Sequence, residues 1–299
     1  MTPLVSIIVP AYNYGHFLDA CLSSMVSQSY RSLEILVIND GSTDSTLEVV
    51  KTFEKDSRVR CFTQNNQGCI PAMNKGIELA RGAYVTFCGA DDAYNADHLR
   101  VLAEAMERHP DAGMVFDNAD LFIDGETRHQ SQLIVRPGYA ERLHDRRVPV
   151  RDLFFKNLVL NTCMFVRREV LERVGGFKAD IPKTGDFHLV YRIAASYPVY
   201  FINYIGTRVR CHPASMMHRE PYYEANVKCL EDIRDHYPAV RAAVGQRAFA
   251  KRMGRKYFRL ARYYERSGQL DKAKTIYKKA FFTRPGRPWY YWRYLRLRD

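Results

Sequence analysis

Ala83-Tyr84-Val85-Thr86-Phe87-Cys88-Gly89-Ala90-Asp91-Asp92 carries an apolar run straight into two adjacent carboxylates with nothing basic beside them. A short apolar run rich in β-branched and aromatic residues reads as a buried strand. Its acidic end has two readings. The acids either cap a following helix, as Asp commonly does, or hold a cation. Ligands of open α/β sheets bind at the carboxyl ends of strands, and carboxylates suit Mg²⁺ or Mn²⁺ carrying a phosphate.

Two further segments repeat the pattern. Val5–Asn13, VSIIVPAYN, is apolar up to Pro10 and then turns. Leu33–Asp44, LEILVINDGSTD, is a second buried strand that places Asp40 at its end and offers Thr43 or Asp44 as a helix cap. In a parallel sheet of alternating strands and helices, the ends near Ala11, Asp40 and Asp91 open on one edge. One crevice would then take a nucleoside near Asp40 and its diphosphate near Asp91.

These strings, with NNQGCIPAMNKGIELARG between them, resemble the inverting family 2 glycosyltransferases of GT-A fold, and the resemblance runs from about residue 4 to 217. Later segments match in order: Cys163–Val170 followed by Val174-Gly175-Gly176-Phe177, then Thr184–Leu189, then Arg210-Cys211-His212-Pro213-Ala214-Ser215, similar to an R-x-H-x-x-S segment. The implied fold is α/β, a Rossmann-like mixed sheet flanked by helices, with residues 1–220 catalytic. Within it, 1–110 form the nucleotide-sugar half and 111–220 the acceptor half, with a helical C-terminal region over 221–299.

The resemblance implies a nucleotide-sugar donor, usually UDP-linked, and a divalent cation, Mn²⁺ or Mg²⁺, on its two phosphates. Such a cation neutralises the charge that grows on the departing diphosphate. Asp91 matches the metal-binding carboxylate of the family's D-x-D-D pattern and Asp92 its neighbour, while Gly89 stands where the first Asp would be. Asp186 matches the base that takes a proton from the acceptor hydroxyl as it attacks opposite the diphosphate, a single displacement that inverts the anomeric centre. Gly185 replaces the Glu that often precedes that base, and an ordinary helix cap is the structural alternative for Asp186. His212 is implied on the metal or diphosphate, with Arg210 adding positive charge; otherwise it is a loop histidine before Pro213. Asn74 and Lys75 match a donor-proximal helix or are solvated helix residues.

Pro10, Ala11, Tyr12 and Asn13 are expected to meet the donor largely through backbone, with Tyr12 against the base ring or packed under the next helix. Asp40 is expected to accept a pyrimidine N–H, or to make an Asx-turn before Gly41. Ser42 lies in the same donor-side turn.

At 299 residues and 46% apolar content, the chain can bury a sizeable core. It shows no stretch of membrane-spanning length and no basic-then-apolar start with a small-residue cleavage site. Seven cysteines without C-x-x-C spacing point to a reducing compartment and neither a disulfide framework nor a zinc site. Cytoplasmic placement, peripheral on the inner face of the cell membrane, is expected. The segment from Gly125 to Val150 reads as a long polar loop. No Q-x-x-R-W segment is present, which favours adding one sugar over polymerisation. The G-x-G-x-x-G turn of nicotinamide enzymes is also absent.

Residues 251–299 hold 16 Lys and Arg against three acids, so the chain's net charge of +12 resides there. Such a tail suits an anionic surface. Tyr257, Leu260, Ala261, Tyr264, Ala273, Tyr277, Ala280 and Pro285 match tetratricopeptide spacing, giving one helical hairpin over 254–287 with Gly268 at the turn. A lone hairpin must bury its face on the catalytic part, on preceding helices or on another copy in a homo-oligomer. Pro288–Arg298 contains both tryptophans, and its aromatic and arginine residues suit the headgroup layer of an anionic membrane. Nucleic acid would use similar chemistry but is not expected, since no nucleic-acid motif accompanies the segment; packing of the tryptophans on the hairpin is the structural alternative. The acceptor implied by the family is a glycan or lipid-linked saccharide of a bacterial surface polymer. A nucleotide-fold scaffold that recruits partners through its tail is the competing function.

Overall fold

The three apolar runs become three neighbouring strands of one sheet. In this computed structural model, which describes residues 2–123, 132–156, 158–181, 183–212 and 222–296, β1 (Val5–Ala11) pairs in parallel with β2 (Leu33–Asn39) on one side and β4 (Tyr84–Phe87) on the other. β3 (Val59–Thr63) extends the parallel set beyond β2. The remaining strands are β5 (Ala93–Tyr94), β6 (Met114–Ile123), β7 (Gln132–Leu133), β8 (Arg146–Arg147), β9 (Met164–Arg167) and β10 (Val199–Cys211).

The sheet order is β3-β2-β1-β4-β9-β6-β10-β5, with β7 on β6 and β8 on β10. β9 is antiparallel to both β4 and β6, so these two point the same way, and β10 is parallel to β6. The sheet is therefore mixed, yet its long strands all end on one edge. Ile7, Ile8, Val37, Ile38 and Phe87 are buried. Full burial of each such side chain contributes roughly 1.5–3 kcal/mol against exposure.

Helices α1 (Gly15–Val26), α2 (Thr46–Phe53), α3 (Cys69–Leu79) and α4 (His98–Arg108) follow the early strands. α1 presents Leu18, Cys21, Leu22 and Met25 to the sheet at helical spacing. The long polar loop expected over 125–150 is corrected in its described part. Pro137 opens a short helix, α5 (Pro137–Leu143), where a proline N1 costs no hydrogen bond, and α6 (Val150–Phe155) follows β8. Buried Val135, Ala140, Leu143 and Leu153 supply the apolar anchors that fold it. α7 (Arg168–Val174) and α8 (Gly185–Ser196) complete the unit spanning residues 1–215.

A second unit, residues 216–299, is helical: α9 (Tyr223–His236), α10 (Pro238–Val244), α11 (Gln246–Arg266), α12 (Leu270–Thr283) and α13 (Pro288–Arg296). The seven hairpin positions from Tyr257 to Ala280 are buried, and Gly268 turns between α11 and α12 with φ at +75°. The hairpin meets α9: Tyr257 donates to Glu231 at 2.7 Å and Tyr264 to Glu224. Among the described residues, no helix is long and apolar enough to cross a membrane.

Candidate active site

Asp91 and His212 come from different strand ends and meet. The chain leaves β4 at Phe87, turns with Asp92 N–H donating to the Gly89 carbonyl at 3.0 Å, and re-enters the sheet as β5. β5 pairs Tyr94 with Thr207 and Ala93 with Arg208 on β10, which stitches the acidic turn to that strand. The last residues of β10 then lie beside the carboxylates, with Asp91 Oδ2 3.1 Å from His212 Nε2. Arg210 Nε donates to the Asp91 carbonyl at 3.1 Å, and its guanidinium stands 4.7 Å from both the Phe17 and the Phe122 ring centres.

Asp92 has a different task from its neighbour. Its buried carboxylate accepts the Arg210 backbone N–H at 3.1 Å, locking the turn to β10. Burial first, and then the adjacent Asp91 charge, raises its pKa well above the ordinary carboxylate value. An acid at Gly89 would require the Asp91 and Asp92 carboxylates to shift. A Cβ there would sit 2.7 Å from Asp91 Oδ1 and 3.0 Å from Asp92 Oδ2.

Several residues expected to contact a donor spend their polar atoms inside the chain. Asp40 Oδ1 accepts from Gln64 Nε2 at 2.8 Å and from the Gln67 N–H at 2.9 Å, while Oδ2 accepts the Gly68 N–H at 2.7 Å. That carboxylate shapes the loop running into α3. Asn13, at φ +57°, accepts the Thr43 N–H at 2.8 Å, and its own N–H donates to Ser42 Oγ at 3.0 Å. Asn tolerates this left-handed backbone better than other non-glycine residues. The loops after β1 and β2 are thereby stapled side by side, with Asp44 adding a bond from the Gly15 N–H at 3.0 Å.

Asn74 and Lys75 have plainer surroundings. Both ends of the Asn74 amide are taken by Phe177, donating to its carbonyl and accepting its N–H at 2.8 Å each. Asn74 thus holds the Gly-Gly-Phe segment. Lys75 is half exposed and pairs with Glu78 at 3.3 Å, as a surface helix residue does. Of the N-terminal group, Pro10 and Ala11 lie in β1, and Tyr12 is 44% exposed.

Asp186 opens α8, where its Oδ1 accepts the Phe187 N–H at 2.8 Å. Cap and base are compatible here. Desolvation outweighs the backbone hydrogen bonds and pushes its pKa up from 3.8 to about 6. The Cys69 thiol at the start of α3 is pushed up to about 12, by burial first and then by the charges of Asp40, Asp91 and Asp186. Carboxylates from three chain segments therefore act electrostatically on the start of α3, and Asp40 reaches it directly through the Gly68 N–H. Gly185 is packed against Ile70, whose Cδ1 would lie 2.8 Å from an added Cβ.

Three participants escaped the sequence reading. Tyr14 and Phe17 place their rings 5.9 and 5.0 Å from the His212 ring, and the aromatic run YNYGHF at a strand-to-helix turn was the available signal. Arg192 is buried and donates to the carbonyls of Val174, Gly175 and Gly176. A charged residue amid the apolar positions Leu189, Val190 and Ile193 was its signal.

Asp91 and His212 offer one carboxylate oxygen and one imidazole nitrogen, a set that fits a divalent ion such as Mn²⁺ when phosphate oxygens complete its shell. No group of three or more His, Cys, Asp or Glu residues arranged for a metal occurs among the described residues.

An uncharacterized glycosyltransferase of Rickettsia felis is 26% identical over 215 residues, 70% of this chain and 34% of its own length. Glycosyltransferase GlyA of Streptococcus pneumoniae is 34% identical over 142 residues, 47% of this chain and 20% of its own. The chain thus spans about a third or less of these relatives. S. aureus TarS 1–349, solved in complex with UDP-GlcNAc, superposes with a TM-score of 0.73 at 16% identity, over 94% of this chain and 81% of that one. Mannosyltransferase PcManGT from Pyrobaculum calidifontis, in complex with GDP-Man and Mn²⁺, gives 0.60 at 22% identity, over 99% and 86%. At such identities the likeness is one of fold, and it is the GT-A fold. The glycosyl transferase family 2 model matches residues 6–175, the stretch from β1 to the end of α7 that builds the loops after β1 and β2 and the Asp91 turn, and the chain belongs to that family.

Proposed function

We propose that the chain is a metal-dependent inverting glycosyltransferase. It moves a single sugar from a nucleoside-diphosphate sugar, UDP-linked by preference, to a hydroxyl of a glycan or lipid-linked acceptor in bacterial surface polysaccharide assembly. The observation that carries this reading is the Asp91–His212 contact at 3.1 Å, with Asp91 and Asp186 both acting electrostatically on the Cys69 thiol and the Asp186 carboxyl pushed up to about 6.

On this reading the nucleoside lies over the stapled loops after β1 and β2, with Tyr12 against its base and the Asp40-ordered loop below. Asp91 and His212 would hold the cation, which supplies charge neutralisation for the leaving diphosphate. Arg210, held between two rings, adds a fixed positive charge at the same place. Asp186 removes the acceptor proton. With a pKa near 6 it is mostly ionised at pH 7 and a stronger base than an ordinary aspartate. Arg192 and Asn74 fix the Gly-Gly-Phe segment that borders it. The proposed location is the cytoplasmic face of the membrane.

Donor hydrolysis, measured with and without Mn²⁺ for the wild type, Asp91→Ala and Asp186→Ala, tests the proposal. Hydrolysis that needs the ion and is lost in Asp91→Ala is expected. Wild-type turnover no greater than that of either variant would leave a nucleotide-fold binding protein instead.

A further inference from the structure

Helix α13 is built inside out for a surface helix. Its inward face is held by Tyr290, whose ring stacks on Phe258 at 4.5 Å, and by Arg293, which donates to Glu265 at 2.9 Å. The opposite arc carries Trp289, Tyr291, Trp292, Leu295 and Arg296 at helical spacing. Trp292 is 70% exposed and Trp289 47%. Packing on the hairpin therefore does not account for the tryptophans.

The patch continues onto α12. Phe281 lies 4.9 Å from Tyr291 and 5.5 Å from Phe282, itself 69% exposed. Among the described residues eight large hydrophobic side chains are exposed, and four of them fall between Phe282 and Trp292. Single exposed apolar residues need no explanation, but a contiguous cluster marks an interaction site.

We propose that α13 and the adjoining end of α12 dock on an anionic lipid bilayer, with Phe282, Trp289, Tyr291 and Trp292 entering the headgroup layer and Arg287 and Arg296 meeting lipid phosphates. Charge selects the occupant. The segment 251–299 carries 16 cations against three acids, and Glu265 is already engaged by Tyr277 and Arg293. A second copy of this surface would repel it, so the partner is anionic. The chemistry of the rings selects among anions. Trp and Tyr beside arginine are the side chains that settle at a membrane interface. A nucleic acid would need free ring faces for stacking, and the Arg287 guanidinium already stands 4.6 Å from the Trp289 ring centre. This inference does not depend on the catalytic proposal.

Both tryptophans of the chain lie in this helix, so fluorescence of the full-length protein excited at wavelengths that tyrosine does not absorb reports on the patch alone. Vesicles of phosphatidylglycerol and phosphatidylcholine should shift the emission to the blue, with quenching by lipids brominated near the headgroup, whereas pure phosphatidylcholine should not. In co-sedimentation, W289S/W292S should bind roughly tenfold more weakly, as loss of buried ring area requires. R287Q and R296Q should each lose roughly fivefold, the worth of one cation at an anionic surface. Unchanged circular dichroism melts establish that the variants fold. No emission shift with anionic vesicles, equal sedimentation of W289S/W292S and wild type, or a shift produced by single-stranded oligonucleotide and not by vesicles would each overturn the proposal.

Discussion

Replacing Asp186 with Asn should make the protein more stable and leave it inactive. The Asn Oδ1 can still accept the Phe187 N–H that Asp186 accepts at 2.8 Å, so the start of α8 keeps its bond. What disappears is the cost of an ionised carboxylate in a desolvated place. The carboxyl rises from 3.8 to about 6 on folding, a shift worth at most roughly 3 kcal/mol at 1.36 kcal/mol per pH unit. Partial exposure of Asp186 brings the expected gain to about 1–3 kcal/mol. The folded state binds the extra proton between the two values, so the wild type is penalised fully above pH 6 and less as pH falls toward 3.8. Urea denaturation at pH 8 should therefore show the variant ahead by that margin, shrinking to roughly half at pH 5. Transfer rates of the wild type should fall on the acid side with an apparent pKa near 6. A stability gain that does not depend on pH would refute the desolvation argument. Sugar transfer by Asp186→Asn at rates near wild type would remove the base.

Other perturbations separate the remaining roles. Asp91→Ala should lower Mn²⁺-dependent donor hydrolysis by at least about 100-fold, and His212→Ala should weaken Mn²⁺ binding in a titration followed by calorimetry. Gly89→Asp should not improve the enzyme: the new side chain enters space held by the Asp91 and Asp92 carboxylates, and the overpacking should cost about 1–3 kcal/mol in a thermal melt. Arg192→Met strips three backbone carbonyls of their donor; it should destabilise by about 3 kcal/mol and raise the acceptor KM more than it lowers kcat.

Much of the sheet could be read from the chain because its strands are continuous apolar runs that stop at polar turns, and periodicity reports burial. The antiparallel entry of β9 between β4 and β6 could not be read so, since direction depends on which edge is free when the strand arrives. Three two-residue strands, β5, β7 and β8, carry no periodic signal at all. The same limit applies to the site. The strand-end position of Asp91 and the family-like segments around Asp186 and His212 singled these three out as candidates. They did not reveal that Asp40, Asn13, Ser42 and Asn74 spend their polar atoms on backbone groups of neighbouring loops. Those loops place N–H and C=O groups near the sheet edge, and each needs a partner before any ligand arrives. A short polar side chain at a strand end is therefore claimed first by the nearest unpaired backbone, and only groups left over after that accounting are available to substrate.

The two glycines at acidic positions of the family pattern follow from the same packing. At Gly89 the position of a Cβ is covered by the carboxylates of Asp91 and Asp92, and at Gly185 by the Ile70 side chain and the Phe177 ring. Neither glycine leaves a hole, so the neighbours have closed over the missing acids. The consequence is electrostatic. On the proposed function, a crevice taking a diphosphate would be relieved of two negative charges, which would lower the repulsion to a donor, while Arg210 keeps a positive charge fixed between Phe17 and Phe122. The proposed ion-binding pair, Asp91 and His212, is correspondingly spare, so on that proposal more of the coordination would fall to the donor's own phosphate oxygens. An ion held mainly by its substrate should bind weakly to the free protein and tightly in the presence of nucleoside diphosphate, because each completes the site of the other.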